Sequence, residues 1–108
     1  TVVPEGSATE QAQVLLPESR VVGAFHNLSA RKLQKLEQPL DGDVLVTGDD
    51  AEAKAAVMAL AGRLPVLRAV DAGPLAASRF VEEITALLLG INRRYKTQAA
   101  VQIVGLPG

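Results

Sequence analysis

Arg20-Val21-Val22-Gly23-Ala24-Phe25-His26-Asn27-Leu28-Ser29-Ala30 is the stretch on which the fold turns. Its apolar run, with β-branched valines at the front, has the pattern of a buried parallel strand. It ends at the chain's single histidine. Ser29 follows two residues after Asn27 and is a suitable cap for a helix over about Ala30 to Glu37. In an open α/β sheet, ligands sit beyond the carboxyl ends of the strands, where helix N-termini offer unpaired N–H groups. The expectation is therefore that His26, Asn27 and Leu28 lie on the functional edge.

Outward from this stretch, strand and helix signals alternate. Upstream, Ser7-Ala8-Thr9-Glu10 is a capping box that opens a short helix, and Pro17 ends it. Downstream, the turn Pro39-Leu40-Asp41-Gly42 leads into a strand over Asp43 to Thr47. Gly48-Asp49-Asp50 then turns into an alanine-rich helix that runs to about Arg63, and Pro65 introduces a third strand, Val66 to Val70. Asp71-Ala72-Gly73-Pro74 closes that strand. From Leu75 to Tyr95, Phe80, Ile84, Leu87, Leu88, Ile91 and Tyr95 recur at helical spacing, with Val81 and Leu89 widening the stripe, and predict one long helix. Ala99 to Leu106 has the composition of a short final strand.

Strands separated by helices argue for right-handed parallel crossovers. The expected class is α/β: a small, mostly parallel sheet with flanking helices and a long C-terminal helix. So narrow a sheet, entered from a lone helix, has an edge where another strand is expected upstream or from another chain.

Composition narrows the function classes. The 108 residues are 48% hydrophobic, enough for a single domain or a domain fragment. A net charge of −1, with no block of like charge, gives no footprint for nucleic acid. The absence of cysteine removes disulfides, thiolate nucleophiles and cysteine-based metal sites, and suits a reducing cytoplasm. No signal peptide pattern opens the sequence, and the apolar run Ile84 to Ile91 falls far short of the about 20 residues a membrane span needs. Glycine-rich nucleotide motifs, a metal-binding HExxH and a serine elbow are all missing.

The individual candidates have two readings each. His26 is either a hydrogen-bonded residue at a strand end or a ligand-facing group. A metal would require Asp49 and Asp50 to converge on it, and helix capping is the better reading of those two. Arg93, Arg94 and Lys96 read as dipole partners at a helix end, with an anionic ligand as the other use. Gly90 costs a helix about 1 kcal/mol relative to alanine, so a close helix approach, within the fold or across a dimer, is its expected cause. Gly73, Pro74 and Leu75 form a strand-to-helix turn expected on the same edge as His26.

Four strings in this order and spacing, Val21 to Leu28, Asp43 to Asp50, Val70 to Leu75 and Leu87 to Lys96, resemble the C-terminal half of NADPH-dependent reductases of coenzyme F-420, the 8-hydroxy-5-deazaflavin. The resemblance runs from about Val3 to Leu106. It implies the C-terminal part of a Rossmann-type homodimeric cytoplasmic oxidoreductase that uses NADP and coenzyme F-420, with its N-terminal dinucleotide-binding half absent from these 108 residues. On that reading these residues alone are inactive. His26, Asn27 and Leu28 are implied to border the deazaflavin ring, and the backbone at Ser29-Ala30 to approach the nicotinamide carboxamide. Gly73, Pro74 and Leu75 are expected to wall the pocket by their place on the edge. No residue is assigned a chemical role and none a metal. The alternatives are a non-catalytic α/β dimerisation or binding module and a flavin or metal reductase of the same fold.

Overall fold

The computed structural model describes residues 4–24, 42–63 and 68–106. The expected helix over Ala30 to Glu37, the turn at Pro39 to Asp41 and the expected strand start at Val66 and Leu67 lie outside these residues.

Helix α1 (Ala8–Leu15) opens as the capping box requires, with the Ser7 hydroxyl accepting the Glu10 N–H at 3.1 Å. Past its end, the Gln13 amide donates to the carbonyls of Leu16 and Ser19, and its oxygen accepts the Val21 N–H. One side chain thus fixes the turn into β1 (Val22–Gly23). β2 (Asp43–Gly48) is buried along its whole length, and α2 (Ala51–Ala61) follows it. β3 (Arg68–Asp71) leads through a single 3-10 turn, Leu75–Ala77, into α3 (Ser78–Tyr95).

The described sheet has the order β1-β2-β3. β2 and β3 are parallel, from Asp43 opposite Arg68 to Val46 opposite Asp71, as a crossover through α2 demands. β1 corrects the expectation of a parallel strand. It is two residues long and antiparallel to β2, with Val22 opposite Gly48 and Gly23 opposite Thr47. The chain reaches it from α1, so no right-handed crossover constrains its direction.

Successive side chains of β2 point to opposite faces. Val44 and Val46 pack with Ala61, Val57 and Met58 of α2, together with Val22, Ala24 and Ala69. On the other face, Thr47 meets Ser78 of α3. Gly23 sits in this second layer, where an added Cβ would stand 2.6 Å from Thr47 Oγ1 and 3.3 Å from both Ser78 Oγ and Thr9 Cγ2. Here the absence of a side chain is required by close approach of three elements.

α1 is tied to α3 by charge. Arg79 binds Glu10 at 2.8 Å, and the Glu82 carboxylate accepts the N–H groups of Ala8 and Thr9 at the start of α1, where the helix dipole favours an anion. The segment 99–106 is not a strand, contrary to its composition. It is held at the amino end of β2 by side-chain chemistry instead. Buried Asp43 accepts the Ile103 N–H at 2.7 Å and Arg68 Nε at 3.3 Å, while Arg68 donates to the Ile103 carbonyl. The Asp43 N–H completes the join to the Val101 carbonyl.

The apolar stripe of α3 is real, but most of it does not face the core. Val81 and Leu88 are buried, whereas Phe80, Leu87 and Tyr95 are 63%, 63% and 71% exposed. The sheet contacts the helix through Ser78 and α1 contacts it through Arg79 and Glu82, which turns the stripe outward. Gly90 has nothing within 4 Å of where a Cβ would stand, so it marks no close approach among the described residues. Among them, no helix is long and apolar enough to cross a membrane.

Candidate functional site

The carboxyl edge of β2 and β3 is organised by two aspartates and a glycine. Asp50 caps α2 by accepting the Ala53 N–H at 2.8 Å. Asp49 does not cap that helix; it accepts the Leu75 N–H at 2.9 Å and so closes the 3-10 turn that precedes α3. Asp50 therefore performs the capping that the sequence suggested for the pair, whereas Asp49 instead ties the edge of β2 to the turn before α3.

Gly73 adopts φ +104°, a conformation that favours glycine. Its N–H donates to Asp71 Oδ1 at 2.9 Å, and its carbonyl accepts from the Gly48 N–H at 3.1 Å and from Lys54 Nζ at 3.4 Å. Lys54 also pairs with Asp71 at 2.9 Å. Its ammonium, and next the Gly73 N–H, hold the Asp71 carboxyl below its ordinary value against a smaller effect of desolvation. Gly73 thus has its backbone engaged within the chain, and any wall it forms acts through shape. Pro74 is exposed beside the buried Leu75.

A cleft of about 330 Å³ opens between this edge and α1, lined by Glu5, Glu10, Gln13, Val14, Asp49, Leu75 and Ala76. The Arg79 guanidinium, hydrogen-bonded to Glu10, holds that carboxyl below its ordinary value. Desolvation opposes this, and the Ser7 hydroxyl supports it. With three carboxylates on its lining, the cleft repels phosphate and accepts neutral or hydrogen-bond-donating groups. Of the residues weighed as candidates in the sequence, Leu75 and Asp49 line it. Glu5, Gln13, Val14 and Ala76 were missed because they converge from separate elements; the capping box at Glu10 was the only local signal.

His26, Asn27, Leu28, Ser29 and Ala30, with neighbouring Phe25, lie outside the described residues. β1, which precedes them, is antiparallel to β2, with Val22 opposite Gly48 and Gly23 opposite Thr47.

No family model matches the sequence. The chain is 46% identical over 95 residues to an F420-dependent NADP reductase of Methanocaldococcus jannaschii, a match that covers 88% of this chain and 43% of the relative. Reductases of the same name from Methanothermobacter thermautotrophicus and Methanothermobacter marburgensis are 39% and 36% identical over 106 residues. Each covers 95% of this chain, and the shares of those relatives are 46% and 47%. The chain thus spans a little under half the length of the curated relatives it matches, aligning with their C-terminal part. A crystal structure from Arthrobacter sp. FB24, described as a candidate F420-dependent NADP reductase, agrees with a TM-score of 0.77 at 26% identity. It covers 94% of this chain and 46% of that one.

Proposed function

We propose that this chain, similar over nearly its whole length to F420-dependent NADP reductases, is the deazaflavin-side part of an oxidoreductase that moves a hydride between NADPH and coenzyme F-420. The observation that carries the reading is the 46% identity over 95 residues, which cover 88% of the chain. It favours an oxidoreductase over a non-catalytic binding module. The full reading includes a Rossmann half that binds NADP, assembly as a homodimer and a cytoplasmic location.

The nicotinamide supplies the hydride and the deazaflavin accepts it together with one solvent proton, so the reaction calls for no protein acid or base. It requires the two rings to be stacked at about 3 to 3.5 Å with water excluded. The work of this chain is then positioning. Phe25 and Leu28 shape the ring site, His26 gives one orienting hydrogen bond, and the Ser29-Ala30 backbone approaches the carboxamide. Pro74 and Leu75, fixed by the Asp49 carboxylate, contribute a rigid apolar wall. The acidic cleft does not fit the NADP phosphates, and no described residue is assigned to them.

The test is deazaflavin absorbance after addition of NADPH, for this chain alone and mixed with a complementary Rossmann half. Bleaching only in the mixture supports the reading. An inactive mixture that is folded and associated overturns it. His26→Ala is expected to slow turnover without abolishing it.

A further inference from the structure

Lys54 is a cation in an unfavourable place. It sits in the first turn of α2, where the helix dipole favours anions, and only 15% of its side chain is exposed. The carboxylates nearest to it in sequence, Asp50 and Glu52, pair with Arg20 instead. The Lys54 stem passes over Gly48, with Cβ and Cδ 3.7 and 3.8 Å from where a Cβ on that glycine would stand. The ammonium thereby reaches the turn between β3 and α3, where it binds Asp71 Oδ1 at 2.9 Å and donates to the Gly73 carbonyl at 3.4 Å. A methionine stem would fill the same space with no charge to desolvate, so packing alone does not call for an ammonium.

What the ammonium fixes is the orientation of one peptide group. The Gly73 carbonyl accepts from Lys54 and, at 3.1 Å, from the Gly48 N–H, so α2 and the end of β2 aim it together. Without those donors Gly73, at φ +104°, is free to turn the group elsewhere. The next residue is Pro74, whose ring locks φ, here at −67°, so the orientation of that carbonyl passes rigidly to the Pro74 ring and on to Leu75. Leu75 is held separately, by the Asp49 carboxylate at 2.9 Å. Asp49 thus secures the far end of the turn and Lys54 the near end, with Asp71 as the anchor of the ammonium.

We infer that Lys54 is a positioning residue for the apolar wall at Pro74 and Leu75: its ammonium, anchored by Asp71, orients the Gly73 carbonyl and so sets the surface against which the deazaflavin ring rests. This deepens the proposed function and rests on its placement of that wall. Lys54 touches no reacting atom. A wall of this kind supports the ring equally before and during hydride transfer, so its loss weakens deazaflavin binding more than it slows turnover of the bound ring. NADPH, which the same reading gives to the Rossmann half, is unaffected.

The chain mixed with a complementary Rossmann half carries the test, read by fluorescence titration of deazaflavin without NADPH and then by steady-state kinetics. Lys54→Met keeps the stem and removes the charge. It is expected to weaken deazaflavin binding about tenfold, the effect of losing a charge-assisted hydrogen bond. The deazaflavin KM rises with it, kcat falls less, and the NADPH KM is unchanged. Amide exchange at Gly48 speeds up, because its acceptor is no longer fixed. Lys54→Arg, which keeps a cation with several donors, is expected to recover most of the binding. Arg20→Met removes the other cation at the start of α2 and is expected to leave both KM values unchanged. Parent-like deazaflavin affinity in a folded Lys54→Met protein overturns the inference, as does an NADPH KM that rises in step, or a Lys54→Arg variant no better than Lys54→Met. A folded parent mixture that neither binds deazaflavin nor moves hydride overturns the functional reading and the role with it, whereas an active parent with an unchanged Lys54→Met variant overturns the role alone.

Discussion

Thr47 Oγ1 and Ser78 Oγ stand 2.6 Å apart in the buried layer between β2 and the first turn of α3. Each hydroxyl is sealed from water by the packing that places it, so each relies on the other. Thr47→Val or Ser78→Ala alone is expected to cost about 1 to 3 kcal/mol, because one buried hydroxyl loses its partner. The Thr47→Val, Ser78→Ala double variant is expected to cost less than the two singles together. Urea unfolding of the four proteins measures the coupling, and strict additivity would show the contact to be unimportant.

Gly23 presses against that same hydroxyl pair. Gly23→Ala is expected to destabilise by about 1 to 3 kcal/mol through overpacking. Gly62→Ala is the contrast, because its Cβ would meet nothing nearer than 3.5 Å and its φ is −64°. There the smaller conformational entropy of the unfolded chain predicts a gain of about 0.4 to 1 kcal/mol. Thermal unfolding distinguishes the two signs.

The two adjacent aspartates should have separable effects. Asp50→Ala is expected to lose about 1 kcal/mol as an N-cap loss, and Asp49→Ala about 1 kcal/mol because the Leu75 N–H loses its acceptor. Amide hydrogen exchange separates them: Asp50→Ala speeds exchange at Ala53, and Asp49→Ala at Leu75. Identical exchange patterns in the two variants would contradict the division of labour seen at the sheet edge.

Acid should loosen the Gly73 turn. The folded-state pKa of Asp71 lies below its ordinary 3.8, so the contribution of its pairing with Lys54 is fully present above that value. It is lost as pH falls through the lower, folded value. Asp71→Asn is therefore expected to be less stable than the parent near neutrality and to show a flatter decline in acid. The difference should shrink with added salt, since Asp71 is exposed. Denaturation midpoints across an acid series, at low and high salt, provide the check.

Much of the edge at β2 and β3 was legible because its chemistry is local. The capping box at Ser7, the cap at Asp50 and the positive-φ turn at Gly73 depend on residues within three positions of one another, and residue type states such bonds directly. Asp49 was expected to cap the following helix; its actual partner, Leu75, is 26 positions away and no local pattern states such a bond. The cleft was less legible, since Glu5, Gln13, Asp49 and Leu75 become neighbours only after α1 folds against the turn before α3.

By itself, the sequence determined the α/β class, the order of the described helices and strands, and the similarity to F420-dependent NADP reductases, because apolar period, capping residues and motif order are properties of the chain alone. The tertiary structure decided three other matters: that β1 runs antiparallel, that 99–106 is held by Asp43 and Arg68 without a ladder, and that the stripe of α3 turns outward. Each depends on contacts between distant elements. A period of 2 is the same for either strand direction, and a helical stripe does not state which side another element will cover; those choices are made by long-range contacts such as Gly23 against Thr47 and Arg79 against Glu10.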